Sequence, residues 1–216
     1  MNNIDITPLL VIVGTLMVTT NIITEVLKKV TWDKIPTNLL VVLIAQSLTL
    51  ATAAAYAQIN NLDLLWYHGA AAVVVGLFVA YLLVSQLFGR LIAWLKPDFF
   101  NANDQSVAAI AESHYIPTLI CTVFLVPVAE ECLHRGAVFG SLFQKNALLA
   151  YAVSTLVFSL VHINWMVGDP MILFLSFLQY IPAGLCLAAA YHISGSITAP
   201  ILIHMAVNAI GILALR

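Results

Sequence analysis

One stretch of the sequence decides the fold around it: Pro127-Val128-Ala129-Glu130-Glu131-Cys132-Leu133-His134-Arg135-Gly136. Residues 115–127 carry no formal charge, and another apolar run follows the stretch. Two adjacent carboxylates and a guanidinium therefore lie inside a segment with the composition of a membrane-spanning helix. A charge at the bilayer centre costs at least about 2.5 kcal/mol, and such groups usually face the bundle interior and serve a function. We therefore expect the chemistry of the protein here.

The composition indicates a membrane protein. Of the 216 residues, 62% are hydrophobic and only 8% are charged, and the mean hydropathy is +1.01. Soluble domains have about 25% charged and about 45–50% apolar residues. The net charge of −2 and the lack of a basic stripe argue against nucleic acid as a partner. The cysteines lie in apolar segments without CxxC spacing, which favours small buried hydrophobes over disulfides or a thiolate metal site: Cys121, Cys132 and Cys186.

The apolar runs predict an all-α, polytopic membrane helix bundle with about seven transmembrane helices, because a bilayer core needs about 20 apolar residues per helix. A polar run at 97–115 is predicted to be a loop or surface helix. It divides the chain into N-terminal transmembrane helices at 1–96, a connecting segment at 97–115 and a second group of helices at 116–216. The predicted spans are Pro8–Leu27, Asn38–Ile59, Trp66–Leu95, Ile116–Phe143, Ala147–Ile163, Met171–His192 and Ile197–Leu215.

The basic residues favour one orientation in the membrane. They cluster at 28–34, at 90–96 and at residue 216, and Lys145 is the exception on the other side. The positive-inside rule therefore predicts an external N-terminus and a cytoplasmic C-terminus. We expect a multi-pass protein of the cell membrane, in which the polar residues inside the bilayer line a water-filled cavity open to the cytoplasm.

The two carboxylates of the stretch differ in their predicted neighbours. Glu131 and Arg135 are four residues apart, so they share a helix face and can pair. Glu130 lies about 100° round the helix and need not share that arginine. Two adjacent carboxylates in a low dielectric resist double ionisation, which suits one of them to act as a general base. The alternative is that both merely join helices through a buried ion pair, which is a poor source of stability by itself.

Three further polar side chains stand out in the apolar helices. His204 and Asn208 are four residues apart, so both project from one face of the last helix. Such a pair suits hydrogen bonding to a carbonyl or an oxyanion, and the alternative is a bond between helices. His162 lies near the end of its helix, where a solvated interface histidine is equally expected. His134 can donate to Glu130 or face a neighbouring helix.

Together these pieces resemble the CAAX-protease and bacteriocin-processing family, also called CPBP or Abi. The resemblance rests on Glu130-Glu131-x-x-x-Arg135, Phe158-x-x-x-His162 and His204-x-x-x-Asn208, one per helix and in the family's order. It covers residues 116–216 and implies a four-helix catalytic core. The position before the arginine departs from the family, since it is commonly phenylalanine there and is His134 here.

Taken with the chemistry, the resemblance implies an intramembrane endopeptidase. Glu130 would be the general base that draws a proton from water, and His162 would hold or polarise that water. His204 and Asn208 would stabilise the oxyanion, while Glu131 and Arg135 orient Glu130. No cofactor is expected. The alternative is zinc, because Glu130, His162 and His204 make a His₂Glu ligand set, although the chain has no HExxH motif.

Two non-enzymatic alternatives remain open. The first is a membrane scaffold that binds and regulates a partner membrane protein through the same polar groove. The second is a pore or transporter whose polar residues line a path. For an enzyme, the expected partners are the lipid bilayer and a peptide or membrane-protein substrate. The resemblance implies a bacterial plasma membrane, with bacteriocin or signal-peptide processing or immunity as roles.

Overall fold

The structure is a computed structural model that describes residues 71–215, except for the side chain of Val73. The predicted spans Pro8–Leu27 and Asn38–Ile59 and the first residues of the third span lie outside this range. The described chain is helical and without strands, so the prediction of an all-α membrane bundle is confirmed. Its helices are α1 (Ala71–Leu95), α2 (Ala102–Ser113), α3 (Tyr115–Phe143), α4 (Ala147–Val161), α5 (Pro170–Ser194) and α6 (Thr198–Leu213).

Within these residues, three helices are long and apolar enough to cross a membrane: Val74–Leu95 of α1, all of α3 and all of α5. Helices α4 and α6 are shorter but also apolar. Helix α5 continues through Pro182. The predicted span Ala147–Ile163 was two residues too long, because α4 ends at Val161 and His162 is its C-cap.

Polar residues set the ends of several helices. The side chain of Asn101 accepts hydrogen bonds from the backbone N–H groups of Asn103 and Asp104 and so caps α2. Asp169 caps α5 in the same way, with Pro170 at the first helical position. The polar run before the core therefore forms a surface helix, one of the two conformations predicted for it.

Helix α5 is the centre of the described bundle, because it packs against α1, α4 and α6. Its contact with α4 and α6 buries an apolar cluster of Phe158, Ala183, Leu187, Ala190 and Ile203. A second cluster joins α3 to α4 and α5: Val138, Phe139, Leu142, Ala150 and Ala188.

Gly184 allows the close approach of α5 and α4. A Cβ atom at this position would lie 2.8 Å from Thr155 Cγ2 and 3.0 Å from Thr155 Cα. Backbone atoms cannot turn aside as a flexible side chain can, so the two helices would have to separate. The carbonyl oxygen of Gly184 also accepts a hydrogen bond from Arg135 Nη2 at 3.1 Å. The glycine therefore positions both helix packing and the arginine.

We expect Gly184→Ala to lower the free energy of unfolding by about 1–3 kcal/mol, because overpacking a tight contact forces the backbone to shift. Chemical unfolding in detergent micelles measures the change. Gly76→Ala is the control, because no described atom lies within 4 Å of a Cβ built there. An equal loss in both variants would show that the contact with Thr155 does not limit packing.

Candidate active site

Glu131 and Arg135 form the predicted ion pair. Arg135 Nη1 lies 3.1 Å from Glu131 Oε1, and both side chains are 0% exposed. The guanidinium also lies 4.5 Å from the centroid of the Phe158 ring and donates to Gly184 O. Arg135 thus joins α3 to α4 and α5, while its charge is balanced within α3.

Glu131 also forms a hydrogen bond to His204 of α6. His204 Nδ1 lies 2.8 Å from Glu131 Oε1, the same oxygen that accepts from Arg135. Because Glu131 Oε1 serves as the acceptor for Arg135, it also accepts from the imidazole, so His204 Nδ1 carries the hydrogen. Nε2, the other ring nitrogen, consequently points away from Glu131 and toward Glu130, whose Oε2 lies 3.9 Å from it.

His162 has a comparable arrangement on α4. Its Nδ1 lies 2.7 Å from the carbonyl oxygen of Phe158, which can only accept a hydrogen bond. Nδ1 therefore carries the hydrogen, and Nε2 faces Glu130 Oε2 at 3.5 Å. The two imidazoles thus present their Nε2 atoms to the same carboxylate oxygen.

Glu130 is the carboxylate that reaches open space. Its side chain is 14% exposed, against 0% for that of Glu131. Glu130 Oε2 has no hydrogen-bond partner among the described residues. A buried carboxylate oxygen without a donor is costly, and the groups that face Glu130 Oε2 are the Nε2 atoms of the two histidines, at 3.5 and 3.9 Å.

Asn208 lies on the same face of α6 as His204 but is engaged elsewhere. Its Nδ2 donates to the carbonyl oxygen of Thr122 at 2.8 Å. Cys121–Leu125 is a π-helical segment, in which Val126 N–H bonds to Cys121 O. In that register the partner of Thr122 O would be Pro127, which has no N–H. Asn208 supplies the missing donor, so its side chain forms a hydrogen bond between helices, which was one of the two predicted alternatives. The second N–H of Nδ2 remains available to donate another hydrogen bond.

His134 faces the neighbouring helix. Its ring meets Phe158 edge-on with centroids 5.3 Å apart, and the residue is 1% exposed. Its Nδ1 has no hydrogen-bond partner in the described chain. The carbonyl oxygen of His134 accepts from Ser154 Oγ at 3.0 Å, which ties the second π-helical segment, Cys132–Phe139, to α4. Of the two orientations considered for His134, the structure shows packing against α4.

A cavity of about 870 Å³ opens beside Glu130. Four predicted site residues line it, namely Glu130, His162, His204 and Asn208. It extends to the connection between α1 and α2 and to the C-terminal end of α6. The structure therefore places Glu131 and Arg135 behind the cavity and the other four residues at its wall.

Sequence reasoning missed a part of this wall. Tyr180 of α5 stacks on His162, with ring centroids 4.5 Å apart, and its hydroxyl group donates to Asp104 Oδ1 at 2.9 Å. The sequence did contain a signal for this contact, because the run of residues 97–115 is rich in amide and carboxylate side chains. A surface helix with such side chains can form hydrogen bonds to a polar site that lies next to it. That run was interpreted only as a connection.

Three residues of the site carry donor atoms of the kind that zinc prefers. Glu130, His162 and His204 have the chemistry of a His₂Glu zinc set, and each histidine has a hydrogen-bonded Nδ1, as zinc-ligating histidines usually do. However, no group of three or more His, Cys, Asp or Glu side chains in residues 71–215 has the placement of a metal site. The expectation of a site without a cofactor, with zinc as the alternative, stays a prediction, and we derive no step through a metal.

We accordingly expect sub-stoichiometric zinc in the purified protein and at most partial inhibition of peptide cleavage by a chelator. Elemental analysis of the protein gives the first measurement and a cleavage assay gives the second. One tightly bound zinc per chain, with activity lost on its removal and restored by zinc, would contradict this expectation and favour the ligand set over the general base.

The fold and site define a class: helical membrane proteins with a paired and an unpaired glutamate beside two histidines at an internal cavity. Residues 112–210 match the model of a family described as type II CAAX prenyl endopeptidase Rce1-like. This match, to the CPBP or Abi family that the three motifs predicted, covers just under half of the chain. Searches of curated proteins and of solved structures found no match.

Proposed function

We propose that the protein is an intramembrane endopeptidase that hydrolyses a peptide bond with a water molecule activated by Glu130. One observation carries the proposal: an unpaired carboxylate oxygen at a cavity wall faces the Nε2 atoms of two oriented histidines, at 3.5 and 3.9 Å. The match to a family described as endopeptidases supports the reaction class.

The geometry supports a division of labour among the residues. A water molecule from the cavity gives one proton to the Glu130 carboxylate and is held by His162 Nε2 as it attacks the peptide carbonyl carbon. His204 and the second N–H of Asn208 Nδ2 then face the developing oxyanion. His204 donates from Nε2 when both of its ring nitrogens carry a hydrogen. Glu130 finally returns its proton to the leaving amine.

Peptide cleavage in ¹⁸O-labelled water tests the proposal. The purified protein in lipid nanodiscs is mixed with a peptide library that includes prenylated CAAX peptides and unprenylated leader peptides. We expect fragments from one defined bond, with one ¹⁸O atom in each new carboxylate, because water is the nucleophile. No cleavage of any library member under conditions where the protein is folded would remove the support for an endopeptidase.

A scaffold function is favoured by one contact, since Asn208 is already engaged in a bond between helices. A scaffold that binds and regulates a partner needs the shape of the groove and not its proton chemistry. In a deletion strain, His204→Ala and Glu130→Gln would then restore the phenotype as well as the wild type. For an enzyme, both variants fail and uncleaved precursor accumulates.

We also propose that substrate enters from the cytoplasm of a bacterial cell, for bacteriocin or signal-peptide processing or for immunity. The cavity reaches the ends of α1 and α6 and is lined there by Lys96, on the side where the positive-inside rule places the cytoplasm. Bacteriocin or peptide-signal genes beside the coding gene would support these roles.

A single cysteine tests this orientation. Met166, between α4 and α5, is 94% exposed, and we expect Met166→Cys to react with a membrane-impermeant thiol reagent only when the cytoplasmic face is accessible. The background lacks Cys121, Cys132 and Cys186. Labelling from outside intact cells would invert the topology and the direction of substrate entry.

A further inference from the structure

The surface helix α2 is bonded to the wall of the cavity by a group of polar side chains that we call the polar clasp: Asn101, Asn103, Asp104, Gln179 and Tyr180. The Tyr180 hydroxyl group donates to Asp104 Oδ1 at 2.9 Å and accepts from Asn103 Nδ2 at 3.0 Å. Gln179 Nε2 donates to Asp104 Oδ2 at 3.1 Å, and Gln179 Oε1 accepts from Asn101 Nδ2 at 3.0 Å.

Every polar atom of the Tyr180 and Gln179 side chains thus has a partner on α2 or its cap. The contacts join residues more than seventy positions apart in the chain. Four hydrogen bonds connect two neighbouring residues of α5 to three residues at the N-terminal end of α2. The α2 side of the clasp lies before residue 112, where the family match begins.

Tyr180 of the polar clasp also contacts His162. The Tyr180 ring lies against the imidazole with centroids 4.5 Å apart and planes at 33°. The Phe158 ring also packs against that imidazole, with centroids 4.5 Å apart and planes at 40°. His162 is the C-cap of α4 and not a residue inside it, so the helix alone does not fix its side chain. Two aromatic rings and the bond to Phe158 O restrict it instead.

We infer that Tyr180 is a positioning residue for His162, and that Asp104 and Asn103 hold Tyr180 in place. The inference rests on the proposed function, because it assigns the clasp to the histidine that holds the water. The Tyr180 ring keeps the imidazole turned so that Nε2 faces Glu130 Oε2. The surface helix α2 is therefore a part of the active site and not only a connection.

Two substitutions with matched controls test the inference. Tyr180→Phe removes the clasp hydroxyl group, and Tyr151→Phe removes a hydroxyl group that bonds to His192 at 3.0 Å. Asp104→Ala removes the clasp carboxylate. Asp98→Ala removes a carboxylate of the same segment that is 81% exposed and lies 3.4 Å from Lys96 Nζ. In each pair, the clasp variant and its control lose the same chemical group. A difference between the two therefore reports the loss of the clasp contact.

We expect kcat to fall about tenfold in Tyr180→Phe and Asp104→Ala with KM within about twofold of wild type, because a small misplacement of a catalytic group costs rate more than binding. Both controls should keep kcat within about twofold. A merely structural role would change the folded fraction instead and leave kcat per folded molecule unchanged.

A second readout needs no activity. Diethyl pyrocarbonate acylates imidazole nitrogen, and mass spectrometry gives the rate for His162 relative to His204 in the same molecule. We expect this ratio to rise at least about threefold in the two clasp variants, because the freed imidazole turns its Nε2 away from Glu130, and to stay constant in the controls.

Wild-type kcat together with an unchanged labelling ratio in both clasp variants would overturn the inference. Should the wild type cleave nothing, the proposed function falls, and the labelling ratio alone decides whether the clasp positions His162.

Discussion

Glu130→Gln is expected to lower kcat/KM for peptide cleavage by about 10²–10⁴-fold, the usual contribution of a general base. Glutamine has nearly the same shape as glutamate but cannot take a proton from water. The Glu130 carboxylate is partly exposed to the cavity and makes no ion pair with Arg135 in the described contacts, so the substitution should leave the fold intact. Steady-state cleavage and chemical unfolding of the same preparation measure both quantities.

Glu112→Gln is the matched control, because Glu112 is an exposed residue of α2 and loses the same charge. It should cleave like the wild type. Full activity in Glu130→Gln would exclude this carboxylate as the base. A large loss in both variants would indicate that net charge, and not proton transfer, limits the reaction.

The helical fold was predictable because its signal is local. Apolar runs of the length of a bilayer core stand out in any sequence, and α3 was placed within one residue of its observed start. The pairing of Glu131 with Arg135 was predictable for the same reason, since a spacing of four residues brings two side chains to one helix face. Both follow from neighbours along one helix.

The contacts between helices could not be derived in the same way. The bond from Asn208 to Thr122 O depends on the π-helical segment before Pro127, which a regular helical period does not reveal. The link from Glu131 to His204 joins residues 73 positions apart. The motifs indicated that these side chains belong together, but which oxygen each nitrogen meets is decided by packing. The role proposed for Tyr180 required knowing that the N-terminal end of α2 bonds to α5.

Glu131 provides the second large effect, because it serves two partners with one oxygen. Removing it leaves Arg135 buried and unpaired, and breaking a buried pair in this way usually costs about 3–5 kcal/mol. We therefore expect Glu131→Ala to lose about that much free energy of unfolding. It should also lose cleavage activity, since His204 Nδ1 loses the acceptor that turns Nε2 toward Glu130.

A double variant separates these two roles. Glu131→Leu with Arg135→Leu removes both charges together, and replacing a buried ion pair by apolar side chains of similar volume is often neutral or stabilising. We expect the double variant to recover most of the stability lost in Glu131→Ala but not the activity, because the leucine offers His204 no acceptor. Unfolding in micelles and cleavage per folded molecule measure the two. If activity returned with stability, the bond from Glu131 to His204 would have no part in orienting the imidazole, and the ion pair would act only by holding α3 to its neighbours.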